Sequence, residues 1–173
     1  MDRTRRTVTA AELAALVRSA QRGDPLATQG LLDLLAPYVG RLCGPIALQD
    51  GPDATQEALI VIFRSIGQLR EPAALFGWAR VIAVREAVRI ARAASRVVPD
   101  PLEDVPARDD PQLAADVRDV LERLSPAHRA VLVLRDLEGL DERSVSALLG
   151  VPEPTVRTRL FRARRNFRKA WER

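Results

Sequence analysis

The stretch Asp141-Glu142-Arg143-Ser144-Val145-Ser146-Ala147-Leu148-Leu149-Gly150-Val151-Pro152-Glu153-Pro154 decides how this chain is read. A short helical run from Asp141 stops at Gly150, the residue type that best tolerates the left-handed conformation closing a helix. Val151 to Pro154 restarts the chain. Pro154 fits a first helical turn, where its missing N–H costs nothing, and Glu153 suits the positive end of the new helix. Two helices across so tight a turn have helix-turn-helix spacing.

The helix that follows runs toward Arg173. At about 100° per residue, Val156, Leu160, Ala163, Phe167, Ala170 and Trp171 gather into one stripe, predicted to be buried. Arg157, Thr158, Arg162, Arg164, Arg165, Arg168 and Lys169 fan around the remainder, with Phe161 alone among them. From Glu153 to Arg173, seven Arg and one Lys against two Glu give +6, more than the +4 of the whole chain. A cationic face carrying one aromatic ring suits duplex DNA, because Arg grips phosphates or the acceptor edge of guanine and a ring touches the thymine methyl.

Composition bounds the rest. With 173 residues the chain holds one domain or two small ones, and 4% aromatic residues with nine Gly favour helices over sheets. The pI of about 10.4 suits a nucleic-acid partner, although basic surfaces also serve membranes and acidic proteins. A single Cys (Cys43) and a single His (His128) cannot form a disulfide or a Cys/His metal site, so no metal and no cofactor are expected. No carboxylate pair, glycine-rich phosphate loop or Ser/His/Asp set has the context of an active site, so no catalytic residue is assigned. The basic start lacks the apolar core of a signal peptide and no run of about 18 apolar residues occurs, so a cytoplasmic protein without membrane insertion is expected.

In front of these helices, Thr9-Ala10-Ala11-Glu12 is a capping box and Asp24-Pro25 a second helix start. Helix two is expected to stop before Pro37, a third piece to cover Tyr38 to Leu48, and a fourth to run from Ala54 to about Ile66. Leu69 to Leu75 reads as a loop or short turn. A long helix is predicted from Trp78 to about Ser95, with Val81, Val84, Val88 and Ala91 as its core stripe. Arg85, Arg89, Arg92 and Arg96 share one face, like charges at i, i+4 that an anionic strand would relieve unless the row is simply solvated. From Val97 to Pro111, four prolines break a run of five acidic residues, so neither helix nor core forms there. It reads as an acidic flexible linker, either a spacer or a mimic of nucleic-acid charge. Asp110-Pro111 and Ser125-Pro126 then cap two more helices. The expected fold is all-α, with a basic tail at 1–8, a helical domain at 9–96, the linker at 97–110 and a helix-turn-helix domain at 111–173.

Four motifs carry a family resemblance. Asp53-Ala54-Thr55-Gln56-Glu57, Phe76-x-Trp78 with Ile82-Ala83, Leu121-x-x-Leu124-Ser125-Pro126-x-x-Arg129-x-Val131-Leu132 and Leu149-Gly150-Val151-Pro152-x-x-Thr155-Val156-Arg157-Thr158-Arg159-Leu160-x-Arg162-Ala163-Arg164 resemble the extracytoplasmic-function sigma factors of the bacterial sigma-70 class. The resemblance spans roughly residues 10 to 172 and is most specific in its last motif. It implies a region two bundle and a region four bundle. It implies that Asp53, Gln56, Glu57, Ile60 and Arg64 bind the beta-prime clamp helices of core RNA polymerase, and that region four meets the beta flap. Arg70, Glu71, Phe76, Trp78, Arg80, Arg85, Arg89 and Arg92 would contact the minus-ten element, and Arg157, Thr158, Phe161, Arg162 and Arg165 the minus-thirty-five element. An anti-sigma partner is common in the family. The chain departs from the pattern at Arg85 and Arg89, where Asn and Asp are usual, and at Ser144, Ser146 and Pro154. An ordinary helix-turn-helix regulator, dimeric and palindrome-binding, is the alternative reading.

Overall fold

The structure is a computed structural model that describes residues 9–94 and 111–172. Helix α1 (Ala10–Gln21) starts at the capping box, where the Glu12 N–H donates to Thr9 Oγ1 at 3.2 Å and the Thr9 N–H donates to Glu12 Oε2 at 2.8 Å. Gly23, at φ +86°, turns the chain into α2 (Pro25–Ala47), which Asp24 caps through the N–H groups of Leu26 and Ala27.

Helix α2 corrects the sequence reading. It does not stop at Pro37, and Tyr38–Leu48 is no separate piece; the helix passes through both Pro37 and Pro45. Each proline removes one backbone bond. The loss is offset by a continuous stripe of Leu31, Leu35, Val39, Leu42 and Ile46, all at most 4% exposed. The segment Pro25–Gln68 also contains an 18-residue window of mean hydropathy 1.3, apolar enough to cross a membrane by length and composition alone, but that stripe is the core of this bundle.

Helices α3 (Gly51–Ser65) and α4 (Leu75–Ala94) pack on α2. Gly51 meets Gly44 so closely that an added Cβ would lie 3.0 Å from the Gly44 Cα, which lets the two backbones approach. The core face of α4 also differs from expectation. Its buried residues are Leu75, Ala79, Ala83, Val84, Ala87 and Ala91, while Val81 and Val88 are half-buried. Of the expected stripe Val84 and Ala91 are buried, and the Ala79–Ala83–Ala87–Ala91 row at i, i+4 permits close contact with α2, so small residues make up most of the seam. Between α3 and α4, Leu69 and Pro72 are buried and Pro72–Ala74 is a single 3-10 turn.

The second group comprises α5 (Pro111–Glu122), α6 (Pro126–Leu132), α7 (Glu142–Leu149) and α8 (Glu153–Trp171). Helix α6 runs on into a π turn at Val133–Leu137 before Gly139, at φ +67°, redirects the chain. Gly150 takes the left-handed conformation, φ 64° and ψ 38°, between α7 and α8 as its position predicts. The stripe of α8 is shorter than expected. Val156, Leu160 and Ala163 are buried, but Phe167 is only half-buried and Trp171 is 47% exposed. Beyond Ala163 the helix outruns its own core, and the Phe167 and Trp171 rings stack on each other at 6.2 Å.

The protein is all-α with two helical groups, and α6 packs on both α2 and α4 so that one apolar core runs through both groups. The acidic segment 97–110, the basic start, Ser95, Arg96 and the expected Asp110 cap lie outside the described residues.

Candidate functional site

The surface of α8 carries the predicted duplex-reading set. Arg157, Thr158, Arg162 and Arg165 are all exposed, and Phe161 is 67% exposed between them. Burial of Val156, Leu160 and Ala163 on the opposite side fixes this outward face. The Thr158 hydroxyl donates to the Pro154 carbonyl at 2.9 Å, a local tie within the first turns of the helix. Arg157 Nη2 donates to Glu142 Oε2 at 2.8 Å, across the turn to α7. That bond holds the Glu142 carboxyl below its usual range and raises Arg157. On the far flank Arg164 makes a two-point pair with Asp136. Near the base of α8, burial and the neighbouring Arg159 and Arg162 lower the pKa of His128.

A second surface lies between α2 and α3. Gly40, Gly44 and Gly51 lack side chains there, which leaves an apolar groove of about 1090 Å³ lined by Leu59, Ile60 and Phe63 together with Gln56 and Arg64. Three of the predicted polymerase-binding residues therefore share one groove. Asp53 and Glu57 are exposed on the same helix but do not line it.

The predicted minus-ten set is divided. Arg70 and Glu71 are exposed ahead of the 3-10 turn, and Arg85, Arg89 and Arg92 line one side of a cavity of about 660 Å³ whose other side is α7–α8, including Leu149, Gly150 and Arg159. Arg89 also pairs with Glu86 at 2.6 Å. Phe76 packs edge-on against Tyr38, ring centroids 5.3 Å apart, and Trp78 is half-buried against the core. Arg80 points into a polar node between the two groups. Its Nε lies 2.9 Å from the Tyr38 hydroxyl and 3.1 Å from Glu138 Oε2. The Tyr38 hydroxyl donates to the same carboxylate at 3.0 Å, and Arg41 approaches its other oxygen at 3.4 Å. Glu138 is only 6% exposed there.

Two residues of this arrangement escaped the sequence reading. Glu138 is one. The other is Arg129, 5% exposed, which donates to the Ile46 and Leu124 carbonyls at 2.7 Å each. Arg129 lies in the third motif, and no sequence signal marks it, because the carbonyl that draws it out of water is 83 positions away. Cys43 is buried, which pushes its thiol up to about 11, and it donates to the Ala83 carbonyl. No group of three or more His, Cys, Asp or Glu able to hold a metal occurs among the described residues.

Comparisons with known proteins agree with this arrangement. A family profile described as Sigma-70, region 4 matches residues 114–167, which contain α7 and most of α8. The RNA polymerase sigma-H factor of Pseudomonas aeruginosa is 32% identical over 182 residues, covering 90% of this chain and 91% of that protein. The ECF RNA polymerase sigma factor SigE of Mycolicibacterium smegmatis is 36% identical over 69% of this chain, which spans about half of that longer protein, 51%. The fold is similar to that of the sigma factor RpoE from Bartonella quintana, solved in complex with the anti-sigma factor NepR, with a TM-score of 0.68, 19% identity, and coverage of 83% of this chain and 96% of that one. An exposed basic helix-turn-helix, a helical front bundle and near full-length similarity to named sigma factors, among them the ECF RNA polymerase sigma-E factor of Haemophilus influenzae at 30% identity over 87% of this chain and 90% of that protein, place this chain in the family of extracytoplasmic-function sigma factors of RNA polymerase.

Proposed function

We propose that the chain works as the promoter-specificity subunit of a bacterial RNA polymerase, a non-catalytic cytoplasmic protein. Residues 9–96 form the region two domain and 111–173 the region four domain, joined by the acidic linker 97–110 behind a basic tail at 1–8. Core polymerase docks through its beta-prime clamp helices on Asp53, Gln56, Glu57, Ile60 and Arg64, and the beta flap meets region four. Arg70, Glu71, Phe76, Trp78, Arg80, Arg85, Arg89 and Arg92 serve the minus-ten element, and promoter melting follows from capture of unpaired bases. Arg157, Thr158, Phe161, Arg162 and Arg165 serve the minus-thirty-five duplex. An anti-sigma protein is a further partner, by analogy with the complex in which the Bartonella quintana protein was solved.

The observation that carries the reading is the outward face of α8, where a ring 67% exposed stands among exposed arginines over a buried apolar stripe. In the minus-ten set, the Nε of Arg80 is shared between Tyr38 and Glu138, so that edge of its guanidinium reaches DNA only once the node opens. The test is transcription in vitro with sigma-free core polymerase and a library of promoter fragments. Specific transcripts that depend on the added chain are the expected result. Failure to bind core, or binding without any transcript from any template, would refute the proposal.

A further inference from the structure

On the DNA-facing side of α8, Arg157 is held by an acid from the preceding helix, α7. Its Nε and Nη2 both donate to one carboxylate oxygen, Glu142 Oε2, at 3.2 and 2.8 Å. Glu142 begins α7, next to Asp141, whose carboxylate accepts the Ser144 N–H at 2.7 Å and so fixes the local backbone. The Glu142 side chain is 28% exposed, whereas that of Arg157 is 68% exposed. The anchored partner is therefore the acid and the outward partner the base.

A guanidinium has two hydrogen-bonding edges, Nε with Nη2 and Nη1 with Nη2. The carboxylate takes the first. The Nη1–Nη2 edge that remains is the two-pronged end matching O6 and N7 of guanine. An ion pair this exposed adds little to folding stability, so its main consequence is to orient a long side chain with several rotamers. A carboxylate alone on a DNA-facing surface would oppose phosphate. Paired with Arg157, it is neutralised.

We propose that Glu142 is a positioning residue for promoter readout. It holds Arg157 with its two-pronged edge toward a guanine of the upstream promoter element, so base preference at that one position depends on both residues. This rests on the assignment of α8 to minus-thirty-five DNA above.

The test uses holoenzyme assembled with core polymerase and duplex promoters randomised across the minus-thirty-five element, comparing wild type with Glu142→Gln, Glu142→Ala, Arg157→Ala and the Glu142→Ala/Arg157→Ala double variant. Arg157→Ala should flatten preference at one position by about tenfold or more. Glu142→Ala should cost about two- to tenfold at that same position and nowhere else, the range expected for immobilising one flexible side chain. Glu142→Gln, which keeps one acceptor oxygen, should lose less. The double variant should be no worse there than Arg157→Ala. Glu142→Ala that binds every sequence more tightly with preference unchanged would overturn the positioning role while leaving the Arg157 assignment intact. Arg157→Ala with an unaltered profile would overturn both. Should the alanine variant unfold, the Gln variant, nearly identical in shape, decides between these outcomes.

Discussion

Arg129 offers the sharpest test of how the two helical groups are joined. Helix α2 ends at Ala47, so the Ile46 carbonyl is among the last of that helix, where carbonyls run short of intrahelical partners. Leu124 stands just past the end of α5. The Arg129 guanidinium, from α6, donates to both carbonyls at 2.7 Å and to the Leu121 carbonyl at 3.3 Å, so one cation closes the C-terminal ends of a helix from each group. Burial lowers its pKa, but an arginine stays charged. In Arg129→Met, the Leu121 carbonyl keeps its bond from the Leu124 N–H at 2.9 Å, whereas the other two lose a charged donor. At about 1.5–3 kcal/mol per such bond, less what is regained by no longer burying a charge, the net loss is about 2–4 kcal/mol. For a chain of this length that lowers the melting temperature by about 5–15 °C. Arg129→Lys, whose single ammonium cannot span two helix ends as the fork does, should recover only part. Urea unfolding followed by helical circular dichroism measures both, with Arg143→Met on exposed α7 as the control. An Arg129→Met loss below about 0.5 kcal/mol, the scatter of a surface substitution, would refute the double-cap reasoning.

Phe161→Ala should weaken binding to minus-thirty-five duplex by about 1–2 kcal/mol through lost apolar contact, while thermal stability and association with core polymerase stay unchanged; equal loss of all three would make the ring structural. Gly150→Ala forces a Cβ into φ 64° where nothing lies within 4 Å, so its cost is conformational, about 1–2 kcal/mol in urea unfolding, and Gly150→Asn should cost less. Tyr38 is the sole tyrosine, and burial raises its pKa above 10, with the Glu138 charge adding to the rise while Arg80 opposes it. Glu138→Gln removes a negative charge that disfavours the phenolate, so the tyrosine absorbance titration should shift to lower pH, and an unmoved curve would mean that the node does not form.

The local signals were legible because each depends on residues a few positions apart. The Thr9–Glu12 box and the caps at Asp24 and Ser125 all act across two or three residues, and the structure places them where their spacing indicates, while Asp141, read as the first residue of its helix, caps it instead. The solvent-facing position of Phe161 followed from 3.6-residue periodicity alone. The failures share a different cause. Pro37 was read as a helix stop because a proline's local cost is visible in sequence, whereas the stripe that offsets it acts only once α3 and α4 are packed against it. Of the expected α4 stripe, Val84 and Ala91 are buried, but close approach to α2 turns the core face toward Ala79, Ala83 and Ala87 and leaves Val81 and Val88 half-buried.

The groups that tie the two halves together are the least legible of all. Arg129 meets Ile46 across 83 positions, and Glu138 meets Tyr38 across 100. In a sequence that is 29% charged, neither differs from its solvated neighbours until a distant carbonyl or hydroxyl removes it from water. The same contacts bear on the candidate site. Arg80 is read as a minus-ten contact from its motif position, yet its Nε is shared between Tyr38 and a carboxylate only 6% exposed. Bringing that Nε to DNA leaves the carboxylate without one of its two cations, so DNA must then supply at least an equivalent interaction. Arg85 and Arg92, exposed and lining the cavity opposite α7–α8, carry no such cost of release from Glu138. Among the predicted minus-ten arginines, engagement of Arg80 is therefore the step most tightly coupled to the contact between the two helical groups.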